Sequence, residues 1–228
     1  MRNLFVGAVL SVCVAGSADA ALFDFNGLTA GTASSSLPIT LGGITVTVTA
    51  TGGAGTVGVL DTDSDAGAAN DPDLRSPFDD VDGNLPSTSF GNALIVQEGG
   101  NAGPDDNAGG GTLTFTFSTP VTIGFVDLLD IEERSSITLS GAGTPVTQIG
   151  SVDNSGYTNF SGGGDGPNQF KRFTFDQSGV STMTVIFGGS GAVGQFAAAI
   201  PVPAALPLLA LGLGGLGYAA RRQKRRAA

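Results

Sequence analysis

The sequence predicts an all-β fold: a jelly-roll-like antiparallel β-sandwich, flanked by an N-terminal signal helix and a C-terminal transmembrane helix. Three observations predict it. Apolar and polar residues alternate in several short segments, which is the period of a half-buried strand. Gly, Pro, Asn and Asp cluster between those segments, and glycine is abundant at 37 of 228 residues. No amphipathic helical pattern joins them, so a parallel α/β sheet has no crossover helices to build with.

The clearest alternation is ITVTVT at Ile44 to Thr49, where Ile44, Val46 and Val48 point one way and the threonines the other. TLTFTF at Thr112 to Phe117, FKRFTF at Phe170 to Phe175 and the run from Ser136 to Leu139 repeat it. Ala93 to Val96, Val121 to Leu129 and Met183 to Phe187 are more continuously apolar, as strands covered on both faces are. Two packed sheets of about eight to ten strands in all accommodate both patterns.

The chain divides into four parts. Residues 1–20 read as a signal peptide: Arg2, an apolar run from Leu4 to Ala15, then Ala18 and Ala20 in the A-x-A positions before Ala21. Residues 21–188 are the expected sandwich ectodomain. Residues 189–200 are expected to be a flexible Gly/Ala linker. Gly189 to Gly194 also satisfies G-x-G-x-x-G, but no helix and second parallel strand follow, so the phosphate-binding reading lacks its context. Residues 201–228 carry a Pro-containing lead, an apolar stretch over 204–220 and a basic tail over 221–228. Seventeen apolar residues span about 25 Å as a helix, just long enough to lodge in a hydrocarbon core of about 30 Å. A basic tail at that end stays cytoplasmic and leaves the acidic domain outside.

The formal charge is -10, but five of the ten basic residues, Arg221, Arg222, Lys224, Arg225 and Arg226, lie in the last eight positions. Between Ala21 and Ile200 nineteen acids face only Arg75, Arg134, Lys171 and Arg172, which leaves about -15. Such a field repels phosphate backbones, so nucleic acid is not an expected partner. Histidine is absent and the single cysteine, Cys13, falls in the signal segment. Ser-His-Asp and Cys-His catalysis and His- or thiolate-bound zinc are thereby excluded from the exported part. Val12 before Cys13 does not suit a lipoprotein site.

The C-terminal segment resembles the PEP-CTERM class of sorting signals, and within it the VPLPA-CTERM variant. The resemblance rests on Pro201, Val202, Pro203, Ala204, Ala205, Leu206 and Pro207, the Leu/Gly run after them, and the basic cluster Arg221 to Arg226. Val202 stands where the Pro-Glu-Pro form has its acid. The resemblance implies an exosortase-type enzyme as partner, a membrane held through the C-terminal helix before processing, and release to the surface of a Gram-negative bacterium. It also implies an exopolysaccharide or another envelope component as a binding partner. The segments DFN at Asp24 to Asn26, DPDL at Asp71 to Leu74, GNALIVQE at Gly91 to Glu98 and PDDNAGG at Pro104 to Gly110 are similar to the ectodomain that accompanies such tails. That ectodomain brings no established activity.

Two acidic groups are candidate chemistry. Asp61, Asp63, Asp65, Asp71, Asp73, Asp79, Asp80 and Asp82 crowd one loop with only Arg75 to offset them. Charges within a Debye length of about 8–10 Å call for solvent or a cation between them. Calcium is the cofactor this loop suits, with Asp61, Asp63, Asp65, Asp71 and Asp73 as ligands and Asp105 or Asp106 as additional ones, because calcium takes six to eight oxygens. The loop is no EF-hand, since Ala66 stands at the usual Gly position and Pro72 at that of the bidentate Glu. A solvated acidic loop without metal remains the other reading. Asp127, Asp130, Glu132 and Glu133 hold the carboxylates from which a glycosidase pair is drawn, and equally fit surface acids at a strand end. The expected function is therefore a noncatalytic surface or matrix module, with a carboxylate-dependent hydrolase of matrix glycans as the alternative. No tryptophan and only Tyr157 and Tyr218 are available as a sugar-stacking platform.

Overall fold

The fold was obtained as a computed structural model, which describes residues 20–64, 74–100, 103–130, 135–141, 146–150, 168–200 and 215. Residues 1–19 of the expected signal peptide, Asp65, Asp71, Asp73, Glu132, Glu133 and the expected sorting segment, Gly215 aside, lie outside the described residues. Among the described residues no helix is long and apolar enough to cross a membrane.

The chain is all-β and almost entirely antiparallel. Twelve strands follow one another: β1 (Ala21–Phe23), β2 (Ala33–Ser34), β3 (Leu37–Leu41), β4 (Ile44–Thr51), β5 (Val57–Asp61), β6 (Phe78–Asp80), β7 (Asn92–Val96), β8 (Gly111–Leu129), β9 (Ser135–Gly141), β10 (Val146–Gly150), β11 (Asn168–Phe187) and β12 (Ala192–Ala199). Among the described strands only β6 and β11 pair in parallel. The count exceeds expectation because β1, β2 and β6 are two or three residues long, too short for periodicity to reveal. In the opposite sense, the separately expected runs 112–117 and 121–129 are one 19-residue strand, and 170–175 and 183–187 belong to one 20-residue strand.

These two long strands organise the molecule. Through Gly111 to Phe117, β8 pairs with β4 on one side and with the end of β11 on the other, and β3, β9 and β10 extend that block. Through Val121 to Leu129 it pairs with β12 and with the start of β11. The far edge of β12 is shared by β7 and β1, and β5 and β2 follow β7. Between the two blocks the β8–β11 register shifts repeatedly from Thr174 to Thr182, with Asp176 at φ +52° and Gly179 at φ +75°. Such irregularities bend and twist a strand locally, which lets one strand serve two blocks.

Inward-facing residues of both blocks meet in one core. Phe196 of β12 stacks on Phe23 of β1 with centroids 4.6 Å apart, and meets Phe115 and Phe117 of β8 edge-on at 5.5 and 6.0 Å. Val46 and Val48 of β4, Ile137 and Leu139 of β9 and Met183 and Val185 of β11 join the same cluster. A second cluster lies on the opposite face of the β12 block, where Leu60, Leu74, Phe78, Phe90, Ile95 and Phe170 pack together. Strands β5 and β7 therefore bury both faces, Val57 and Val59 toward one cluster and Leu60 toward the other. That is why Ala93 to Val96 reads as a continuous apolar run.

The expected linker over 189–200 is corrected. Most of it is β12, hydrogen-bonded to β8 on one side and to β7 and β1 on the other, with Ala192, Val193, Phe196 and Ala198 fully buried. Its small residues reflect close packing rather than freedom. A side chain at Gly194 would start 2.8 Å from the Phe90 ring and 3.1 Å from Leu129. The folded β region thus runs to Ala199 and not to 188.

Candidate functional site

The acidic loop leaves β5 at Asp61. The Asp61 carboxylate accepts the Asp63 N–H at 3.0 Å, an Asx turn that short acidic side chains form readily. Asp63 is the hub of a hydroxyl cluster. The Ser89 hydroxyl donates a short hydrogen bond to its Oδ1, and the Thr62 hydroxyl lies 3.4 Å from the same oxygen. Thr62, fully buried, also donates to the Gly91 carbonyl at 2.7 Å and lies 3.0 Å from the Ser76 hydroxyl. Three chain segments distant in sequence are thereby tied at one carboxylate. Partial burial works to raise the Asp63 carboxyl, but hydrogen bonds from Ser76, Ser89 and Thr62 and from the Gly91 backbone outweigh it and hold it below the ordinary 3.8.

The direction of that shift sets a pH dependence. A carboxyl depressed on folding stabilises the native state above its unfolded pKa, and the contribution is lost as pH falls through the lower folded value. Asp63→Asn is therefore expected to lower the melting temperature at pH 7, by an amount that shrinks as the pH falls through the acid range. Thermal denaturation of both proteins across that range checks it; a constant difference at all pH values contradicts the assignment.

The other described acids of the loop, Asp79, Asp80 and Asp82, also have partners. Asp79 accepts the Ser87 hydroxyl at 2.6 Å. Asp80 accepts the N–H groups of Asn84 and Leu85 at 2.8 and 2.9 Å and so closes the turn after β6. Asp82 pairs with Lys171 at 3.1 Å.

Asp61 and Asp63 are brought together; Asp105 and Asp106 are not brought to them. Asp61 stands opposite Asn92 at one end of β7, whereas Asp106 bridges Gln97 just past the other end. Five residues of strand separate the two positions by about 17 Å, too far for one ion to be shared. Asp106 is buried and accepts hydrogen bonds from the Ser190 hydroxyl at both oxygens, 2.9 and 2.7 Å, and from the Gly191 N–H. It latches the turn that leads into β12. Among the described residues no group of three or more Asp, Glu, His or Cys side chains is arranged to hold a metal. The calcium proposal therefore concerns the 61–82 loop, including Asp65, Asp71 and Asp73 outside the described residues.

Asp127 is not the surface acid its position in a strand suggested. It is fully buried, and the Arg172 guanidinium grips it from the neighbouring strand, Nε to Oδ1 at 2.8 Å and Nη2 to Oδ2 at 2.7 Å. Gln195 of β12 donates to Oδ2 at 2.8 Å from the other side. The guanidinium carbon lies 3.8 Å from the Phe125 ring centroid, a cation-π contact. Hydrogen bonding to Asp127 raises the Arg172 pKa above the ordinary guanidinium range, burial opposes this, and the charges of Asp127 and Asp80 add to it. Both Asp127 oxygens are thus committed to neighbouring strands. Asp130 is buried too, at φ +48°, its N–H donating to the Gln169 carbonyl at 3.1 Å.

A cleft of about 200 Å³ opens between Phe23 to Leu28 and Pro38 to Leu41. It is smaller than the roughly 300–1,000 Å³ usual for small-molecule sites. No family model matches the chain, and no curated protein and no solved structure matches it either.

Proposed function

We propose that this chain is an exported, noncatalytic module of the cell surface or extracellular matrix of a Gram-negative bacterium. The observation that carries the reading is how the two expected targeting segments abut the folded strands. Strand β1 begins at Ala21, directly after the Ala18-x-Ala20 pattern, and β12 ends at Ala199, two residues before Pro201. The signal peptide delivers the chain, the apolar stretch over 204–220 and the basic tail over 221–228 hold it in the inner membrane, and an exosortase-type enzyme reads the segment from Pro201 to Pro207. The intervening strands form a jelly-roll-like sandwich. Calcium bound by the acidic 61–82 loop stiffens it, and an exopolysaccharide or another envelope component is its partner. The commitment of Asp127 to Arg172 and Gln195 supports a structural rather than a catalytic use of that carboxylate.

Intact-mass measurement of the protein recovered from its host's surface fraction tests the reading. The expected chain starts at Ala21 and lacks Arg221 to Arg226; a cytoplasmic chain with residues 1–20 intact overturns it. Calcium at about 100-fold its dissociation constant stabilises a binding protein by about 2.7 kcal/mol, or roughly 5–10 °C for a domain of this size. A melting temperature equal in calcium and in chelator removes the metal from the proposal.

A further inference from the structure

The first block of strands has an outward face of unusual composition. Its inward residues are the core set Val46, Val48, Leu113, Phe115, Met183 and Val185, so alternation puts the intervening residues outside. Those residues are threonine and serine, with one isoleucine, in register across four adjacent strands. One row runs Thr47, Thr116, Thr182, Ser140; the next runs Thr49, Thr114, Thr184, Thr138; a third runs Thr51, Thr112, Ile186, Ser136. All twelve are partly or fully exposed. Neighbours within a row are about 4.7–4.9 Å apart and successive rows about 6.6–6.8 Å. The β8–β11 and β9–β11 register shifts stop at Thr182, so the array itself is bulge-free. Threonine is stiff at χ1, so each methyl and hydroxyl is held at a repeated place.

Strand propensity explains threonine on an exposed face. It does not explain the absence of charge. No Asp, Glu, Lys or Arg occurs in β3, β4, β9 or β10, nor in residues 111–117 and 177–187, although the ectodomain carries about -15. Exposed sheets and edges ordinarily carry charges, which discourage association and bind water in their own geometry. A neutral, two-dimensional lattice of hydroxyls and methyls complements a neutral, two-dimensional lattice of hydroxyls.

We propose that this threonine face binds the surface of crystalline ice. A hydroxyl has one donor and two acceptor sites and can take the place of a lattice water; Ser140, which donates to the Thr182 carbonyl at 3.5 Å, keeps its acceptor sites. The methyl groups between them fill the hollows of the crystal face. The row and strand spacings lie close to the oxygen repeats that ordinary ice presents on its growing faces. A soluble sugar offers no such area, and the face has no aromatic ring to stack one.

The test uses the purified exported protein, watching single ice crystals near the melting point and grain growth in frozen sucrose solution. The protein is expected to facet the crystals and arrest grain growth. Thr114→Lys and Thr184→Lys, each placing an ammonium at the centre of the array, are expected to need about tenfold more protein for the same arrest. Thr184→Val keeps the branched shape and is expected to lose about threefold, which reports on the hydroxyl if a lysine disturbs the sheet. Thr29→Lys, on an exposed turn elsewhere, is expected to equal the parent. Round crystals and unchecked grains with the parent protein overturn the proposal, as do lysine variants as active as the parent. Retention on an insoluble neutral glycan through Thr114 and Thr184, with ice unaffected, overturns it as well and assigns the face to the glycan. None of these outcomes bears on export and sorting, which rest on the chain ends.

Discussion

Phe196→Ala is expected to cost about 3–5 kcal/mol of stability, the range for emptying a buried phenylalanine site. That corresponds to roughly 10 °C in melting temperature for a domain of this size. Phe196 is fully buried and touches four other rings: Phe23 and Phe25 in and just after β1, and Phe115 and Phe117 on the first half of β8. Its removal leaves a void between the two blocks that neither can fill alone, because each is held rigid by its own hydrogen-bonded strands. Phe196→Leu fills more of the space and is expected to cost less than half as much. Urea titration with an unchanged slope identifies a pure stability effect. A loss below about 1 kcal/mol for the alanine variant shows that residues 192–199 are not a central strand.

That experiment bears on the least legible part of the sequence. Strands with one solvated face were plain, since Ile44 to Thr49 and Thr112 to Phe117 alternate and the alternation is maintained in β4 and β8. The segment AVGQFAAA has no alternation, because β12 is covered on both faces and lies between β8 and the pair β7 and β1. Its alanines and glycine resemble a linker by composition, and only the proximity of Phe90 and Leu129 to Gly194 shows why nothing larger fits. The bends of β8 and β11 were equally hidden, since a strand that crosses from one block to the other keeps its apolar content throughout. In the acidic loop the Asp61 and Asp63 spacing was legible and the turn it makes follows from it. The donors that converge on Asp63 were not, because Ser76 and Ser89 come from elsewhere in the chain. Asp106 was grouped with the loop by charge alone, whereas strand geometry puts it at the other end of β7. The row order of the threonine face needed the register of four strands, which no single segment contains.

Arg172→Ala is expected to cost about 3 kcal/mol, the lower end of what removing one partner of a buried ion pair costs. The low end applies because the guanidinium side chain keeps 29% of its exposure while Asp127 has none. The cost comes from the carboxylate left behind. Gln195 supplies one donor at 2.8 Å but no charge, so a buried carboxylate is left without its cation. Arg172→Lys retains the charge but not the fork that meets both oxygens, and loses the planar contact with Phe125; it is expected to fall between parent and alanine. The double variant Asp127→Leu, Arg172→Met is expected to recover most of the loss, since a desolvated pair and an apolar pair of similar size differ little. Because the Arg172 pKa is raised on folding, its stabilisation is complete below the ordinary guanidinium range and is lost only as pH climbs through the still higher folded value. The gap between parent and Arg172→Ala is therefore expected to be flat from pH 6 to 10 in denaturant titrations. If Asp127 were instead a reactive carboxylate held in place by Arg172, the double variant would be as unstable as Arg172→Ala is, or its loss would show in turnover of a glycan. A stable, fully folded double variant leaves Asp127 and Arg172 as the bolt across β12, β8 and β11.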